Sequence, residues 1–127
     1  MPYTARHEPS LGLVEVELSG EVTAADLGAV TSRCISFQKA TGTERFLIGT
    51  NELDLRVSVV DLLDIPDKQY WDEDLSRFSR IAVILPASAT AQKAAHVYEM
   101  ACRNRGWNAR VFPDRRSALD WLGSGGK

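Results

Sequence analysis

The chain has 127 residues, 44% of them hydrophobic and 25% charged, with a formal net charge of −2. Such values describe one ordinary soluble domain, long enough to bury a core without disulfides or a structural metal, and they exclude an intrinsically disordered chain. The near-neutral balance also excludes the broad field that draws a protein onto nucleic acid or into an anionic membrane. The charge is unevenly spread: Glu52 to Arg80 holds eight acids and four bases (−4), and Arg103 to Lys127 holds six bases and two acids (+4). That asymmetry fits either solvated faces or a surface for self-association.

Tyr3 to Glu8 reads as a short strand, followed by turn residues Pro9, Ser10 and Gly12. Leu13 to Leu18 alternates, with Val14, Val16 and Leu18 on one face and Glu15 and Glu17 on the other. This is a strand with one wet face, expected to pair antiparallel in an opening hairpin that Gly20 ends. Thr23-Ala-Ala-Asp26 carries the reciprocal capping pattern of a helix start. Leu27, Val30, Cys34 and Phe37 then define one apolar stripe, with Ile35 off it, until Gly42 stops the helix. Arg45 to Thr50 reads as a strand covered on both faces.

Ser58 to Asp61 repeats the capping pattern ahead of Leu62 and Leu63, and Pro66 is expected to end or kink that helix. Tyr70, Trp71, Leu75 and Phe78 follow in an acidic stretch. Ile81 to Leu85, the most apolar run, is the expected central parallel strand, closed by Pro86. Ser88 or Thr90 caps the next helix, whose buried stripe is Ala91, Ala94, Tyr98 and Ala101, widened by Val97 and Cys102. Small residues there would let this helix sit close to the sheet. Gly106 ends it, Trp107 to Phe112 alternates as an edge strand, and Pro113-Asp114 opens a last helix ending at Leu122. The expected fold is α/β: a mixed, mostly parallel sheet of four to five strands flanked by about four helices. Residues 1–122 form one domain, and Gly123 to Lys127 a flexible tail.

The turn Gly20-Glu-Val-Thr-Ala-Ala-Asp26, the strand from Arg80 to Leu85, and the ending Asn104-Arg-Gly-Trp-Asn-Ala-Arg-Val-Phe-Pro-Asp114 with Ala118-Leu-Asp-Trp-Leu122 resemble the SpoIIAA-like family, similar in fold to STAS domains. The resemblance spans Gly12 to Leu122, and its C-terminal part is the more specific. It implies a non-enzymatic role in partner binding or sensing. STAS proteins that antagonise anti-sigma factors carry a phosphorylatable Ser or Thr in a turn after the third strand. Here that place reads Gly49-Thr50-Asn51-Glu52-Leu53, without the family's preceding Asp or following Gly, so Thr50 is the one hydroxyl on offer as acceptor.

Direct chemical signals are sparse. His7 and His96 lie far apart in sequence, there is no Cys-x-x-Cys, and Asp72-Glu73-Asp74 lacks the glycine of a calcium loop, so neither a metal nor another cofactor is expected. Cys34 and Cys102 fall within apolar segments and read as a reduced, buried pair, which favours the cytoplasm. The first twelve residues do not read as a signal peptide, and no apolar run reaches membrane-spanning length, so no membrane insertion is expected. His96 reads as a surface histidine, and no nucleophile–base pair is evident, so no catalytic residue is assigned and no enzyme is expected. In parallel sheets ligands lie beyond the carboxyl ends of the strands. That rim gathers Thr50, Asn51, Pro86, Ser88 and Thr90, with Lys93 one turn further in, although the same residues also read as ordinary helix caps.

Trp71 would anchor a partner if exposed, or cover the sheet as core. Arg110, Arg115 and Arg116 form a basic cluster without interleaved aromatics, so no nucleic acid is expected. Two functions remain. One is a cytoplasmic, non-enzymatic regulatory or protein-interaction module that self-associates as a homodimer through an edge strand or the charged patches. The other is a carrier or sensor for a small molecule or lipid, with Leu53 to Phe78 as a lid.

Overall fold

The computed structural model describes residues 2–124. Five strands form one sheet in the order β1-β2-β3-β4-β5: β1 (Tyr3–Glu8), β2 (Leu13–Thr23), β3 (Arg45–Arg56), β4 (Arg80–Ile84) and β5 (Asn108–Phe112). β1 runs antiparallel to β2, and the remaining neighbours are parallel. The helices are α1 (Ala24–Thr41), α2 (Val59–Asp64), α3 (Tyr70–Asp72), α4 (Ala89–Asn104) and α5 (Arg115–Leu122). The four-to-five-stranded mixed sheet expected from the alternation is therefore present, with a five-residue π-helical turn (Ile65–Gln69) added between α2 and α3.

The strand order rises monotonically with sequence. Parallel crossovers of one hand then deliver α1, the α2–α3 segment and α4 to the same face of the sheet. Their side chains close the main core with Val14, Val16, Phe46, Ile81 and Val83. The opposite face receives α5, which seals Leu47 and Ala82 beneath Ala118 and Leu122. The half of that face formed by β1 and β2 stays wet, which is why Glu15 and Glu17 alternate with buried valines in β2.

Local signals set the helix starts. Thr23 and Asp26 exchange bonds at the head of α1, with Thr23 N–H donating to Asp26 Oδ2 at 2.9 Å and Asp26 N–H to Thr23 Oγ1 at 3.2 Å. Ser58 and Asp61 do the same for α2, at 3.0 and 3.1 Å. Ser88, not Thr90, caps α4, accepting the Ala91 N–H at 3.1 Å. Asp114 caps α5 through the Ser117 N–H at 2.8 Å.

Three expectations need correction. Gly20 does not end β2, which continues to Thr23. Likewise Thr50 lies inside β3, which continues to Arg56, and not in a turn. The pairing shifts between Ser19 and Gly20, leaving Glu52 as the extra residue of a bulge at φ 50°. The bulge re-aims the strands and lets them extend together. Ile35, off the Leu27–Phe37 stripe, is buried at 3% exposure and joins the main core. On α4, Ala95 is buried and Ala94 only partly so. At Pro66 the expected break takes a particular form: α2 ends at Asp64 and the chain continues as a π-helical turn. Lacking an N–H and crowding the carbonyl four residues back, this proline shifts the ladder by one residue, so Tyr70 N–H donates to Ile65 O.

At the C-terminus Gly123 N–H bonds Leu119 O, and Ser124 Oγ bonds Trp121 O and accepts from Arg80. Residues 125–127, expected to belong to a flexible tail, lie outside the described residues.

Glu17 rests over Gly49, where any Cβ would collide with its carboxylate. Burial, and then the charge of Glu15, raise Glu17 above its ordinary 4.5, opposed by Arg115 and the Asn51 N–H. The folded protein therefore holds this proton more tightly than the unfolded chain, and stability falls as pH rises through the window above 4.5. Glu17→Gln is expected to flatten that part of a urea-denaturation pH profile. An unchanged slope would show that Glu17 does not set it.

Candidate functional site

Between the helix-covered sheet face and its three helical layers lies a cavity of about 110 Å³. The sheet contributes Val16, Leu18, Phe46, Ile48, Ile81 and Val83. The helices contribute Val30 and Cys34 from α1, Leu62 from α2, and Ala91, Ala94 and Ala95 from α4. Leu53 and Leu55, on the extended arm of β3, close one end. Ile65 and Tyr70, the two residues bonded across the π-helical turn, both reach the lining. The alanines of α4 thus do not simply bring the helix down onto the sheet. Set beside Tyr98 on the same helix, they leave room that no side chain fills.

The lining contains no Lys, Arg, His, Asp or Glu. Besides the Thr31 hydroxyl, its polar groups are those of Thr50, Tyr70, Tyr98 and Cys34. The Thr50 hydroxyl donates to Ile84 O at 2.7 Å. The Tyr70 and Tyr98 hydroxyls bond each other. Burial pushes the thiols of Cys34 and Cys102 up to about 12, so both stay protonated and unreactive at neutral pH. Burial likewise holds both tyrosine hydroxyls in their neutral form. An uncharged, largely apolar wall favours apolar occupants and penalises ions.

The α2–α3 segment covers one side of this space. Val59, Val60 and Leu63 of α2 are exposed, while Leu62 turns inward. The π-helical turn is tied down more firmly. Trp107 Nε1–H donates to Pro66 O at 3.0 Å, Asp67 pairs with Arg105 at 2.9 Å, and Gln69 Nε2 donates to Gly28 O on α1 at 2.8 Å. The Asp67–Arg105 pair joins the acidic 52–80 segment to the basic C-terminal one within a single chain.

Of the expected rim, only Thr50 and Pro86 line the cavity. Asn51, Thr90 and Lys93 are exposed, and the Ser88 hydroxyl serves the α4 cap. Trp71 is 52% exposed, with one face against Trp107 (centroids 5.1 Å apart) and the Arg77 guanidinium 4.4 Å from its ring centroid. His96 lies on the surface 3.5 Å from Glu99.

Sequence reasoning missed Gln38, 8% exposed on the buried side of α1. Its amide donates to Thr43 O and Ser79 Oγ and accepts from Ser76 N–H, fixing the turn that enters β4. The available signal was its place four residues after Cys34, on a helix face that is otherwise apolar.

Sheet order, the antiparallel opening pair and the placement of the helices define an α/β protein with a SpoIIAA-like fold. An uncharacterised protein of the DUF3478 family from Shewanella loihica PV-4, itself described as having a SpoIIAA-like fold, superposes with a TM-score of 0.58 and 23% identity, over 94% of this chain and 91% of the other. No protein-family model matches the sequence, and no curated protein matches it. Among the described residues no helix is long and apolar enough to cross a membrane.

Proposed function

We propose that this protein is a non-enzymatic binding module whose ligand is a small, uncharged, apolar molecule held between the sheet and the α2–α4 helices. The observation that carries the reading is the unfilled apolar cavity of about 110 Å³. An apolar cavity of about 150 Å³ stays dry and takes up benzene, so this one suits a group of about one ring. Anything larger requires α2 to move outward. That short helix carries three exposed apolar side chains and one buried, Leu62, which lines the cavity. A cytoplasmic regulatory role fits this reading if the position of α2 is what a protein partner senses, with Val59, Val60 and Leu63 as the surface read.

The test uses toluene as probe and two readouts. Saturable amide shifts are expected at Val16, Val30, Ala95 and other lining residues. Alkylation of Cys34 by N-ethylmaleimide, already slow, is expected to slow further as toluene is added. No saturable shift up to the solubility limit, together with an unchanged alkylation rate, would overturn the reading.

A further inference from the structure

The two edges of the sheet are not equivalent. On β5 the outward backbone positions alternate through Trp107, Ala109, Val111 and Pro113. Trp107 N–H bonds Cys102 O at 2.9 Å, Val111 N–H bonds the Glu99 carboxylate at 2.7 Å, and Pro113 has no N–H. Only Ala109 is left on that row, so this edge is closed to strand addition.

β1 has no such cover. Ser19 N–H bonds Pro2 O at 2.9 Å, which fixes Pro2, Thr4, Arg6 and Glu8 as the residues facing β2. Tyr3, Ala5 and His7 therefore turn their N–H and C=O groups outward. Among the described residues nothing pairs with these groups.

We infer that β1 is a self-association edge at which a second copy of this chain adds its own β1 antiparallel, about a two-fold axis through Ala5. This register sets Ala5 against Ala5 and Tyr3 against His7 of the second copy. All three outward positions are then used, with two bonds at each pairing. Between them the exposed Arg6 lies opposite the exposed Thr4 of the second copy, so no like charges meet. Moving the pairing on by one step would set Arg6 against Arg6, which is destabilising. The result is one continuous sheet through both copies, and each β5 stays terminal because Glu99 and Pro113 blunt it.

Sedimentation equilibrium on the full chain, from micromolar to millimolar, tests this. A reversible monomer–dimer equilibrium is expected. Ala5→Pro removes the two central bonds of the interface, and no bond within the monomer because that N–H points outward. Thr4→Arg sets an arginine opposite Arg6 at both symmetry-related positions of the interface, while residue 4 stays opposite Glu17 in its own chain. Each substitution is expected to weaken dimerisation about tenfold or more, with the far-ultraviolet spectrum unchanged. A monomer at every concentration overturns the inference. So does a dimer that Thr4→Arg, the variant confined to an exposed side chain, leaves equally tight.

Discussion

Trp107→Ala is expected to cost about 3–5 kcal/mol of folding stability, the range of large-to-small changes at buried aromatics. Trp107 is 2% exposed and its ring meets Tyr70 edge-on, with centroids 5.3 Å apart. On another side Arg77 stands 4.2 Å from its centroid, and its Nε1–H holds Pro66 O at 3.0 Å. One side chain therefore fills the core, supports the tyrosine that lines the cavity, and ties down the π-helical turn. Truncation leaves a void and also strands a buried carbonyl. Trp107→Phe separates these effects. It keeps most of the apolar volume but removes the donor, and is expected to cost about 1–3 kcal/mol, the penalty of an unsatisfied buried group. Urea denaturation gives both values. Hydrogen exchange adds a local readout: in Trp107→Phe, amides from Val59 to Asp72 should lose more protection than those of β3. Uniform loss across the chain would mean that Trp107 does not hold this segment in particular.

Ala95→Leu is expected to do the reverse, raising stability by about 1–2 kcal/mol while abolishing uptake of toluene. Ala95 is 8% exposed and borders the cavity from α4. Each buried methylene is worth about 0.8 kcal/mol, and about 110 Å³ of unfilled space accommodates the three added carbons. Part of the gain is offset by the cost of fixing a leucine rotamer. Such a change separates storage of free volume from stability. A ligand site kept empty at the expense of the core gains stability on filling and loses its ligand. Lower stability with intact toluene binding would place the cavity elsewhere than beside Ala95.

Much of the scaffold is legible in the residues themselves. Thr23 with Asp26 and Ser58 with Asp61 announce two helix starts, because a cap is satisfied by atoms three residues apart. Glu15 and Glu17 announce the wet face of β2 through strict alternation. What escapes local reading is decided by neighbours distant in sequence. β2 and β3 outrun their expected ends because each supplies the other with a partner past Gly20. Gln38 is buried because the Ser76–Ser79 turn arrives to use its amide. The candidate site is less legible still. Thr50 and Pro86 were placed at a ligand rim by topology, and they do line the cavity. Its volume, however, is what remains after side chains from eight elements have packed, and no single segment encodes that remainder. Pro66 marked the 53–78 segment as unusual, yet a π-helical turn depends on the packing that Trp107 and Gln69 provide.

The bulge at Glu52 has a mechanical consequence. β4 pairs with β3 only as far as Ile48, so beyond it Gly20–Thr23 and Leu53–Arg56 run on as a two-stranded cantilever with no third strand beside them. Leu53 and Leu55 sit on that arm, and two residues after Arg56 the chain enters α2. Arm and helix are thus consecutive links of the chain. Under the function proposed above, an occupant too large for the resting space would press on Leu53 and Leu55, and a tilt of the arm would carry directly into the segment that presents the exposed valines of α2.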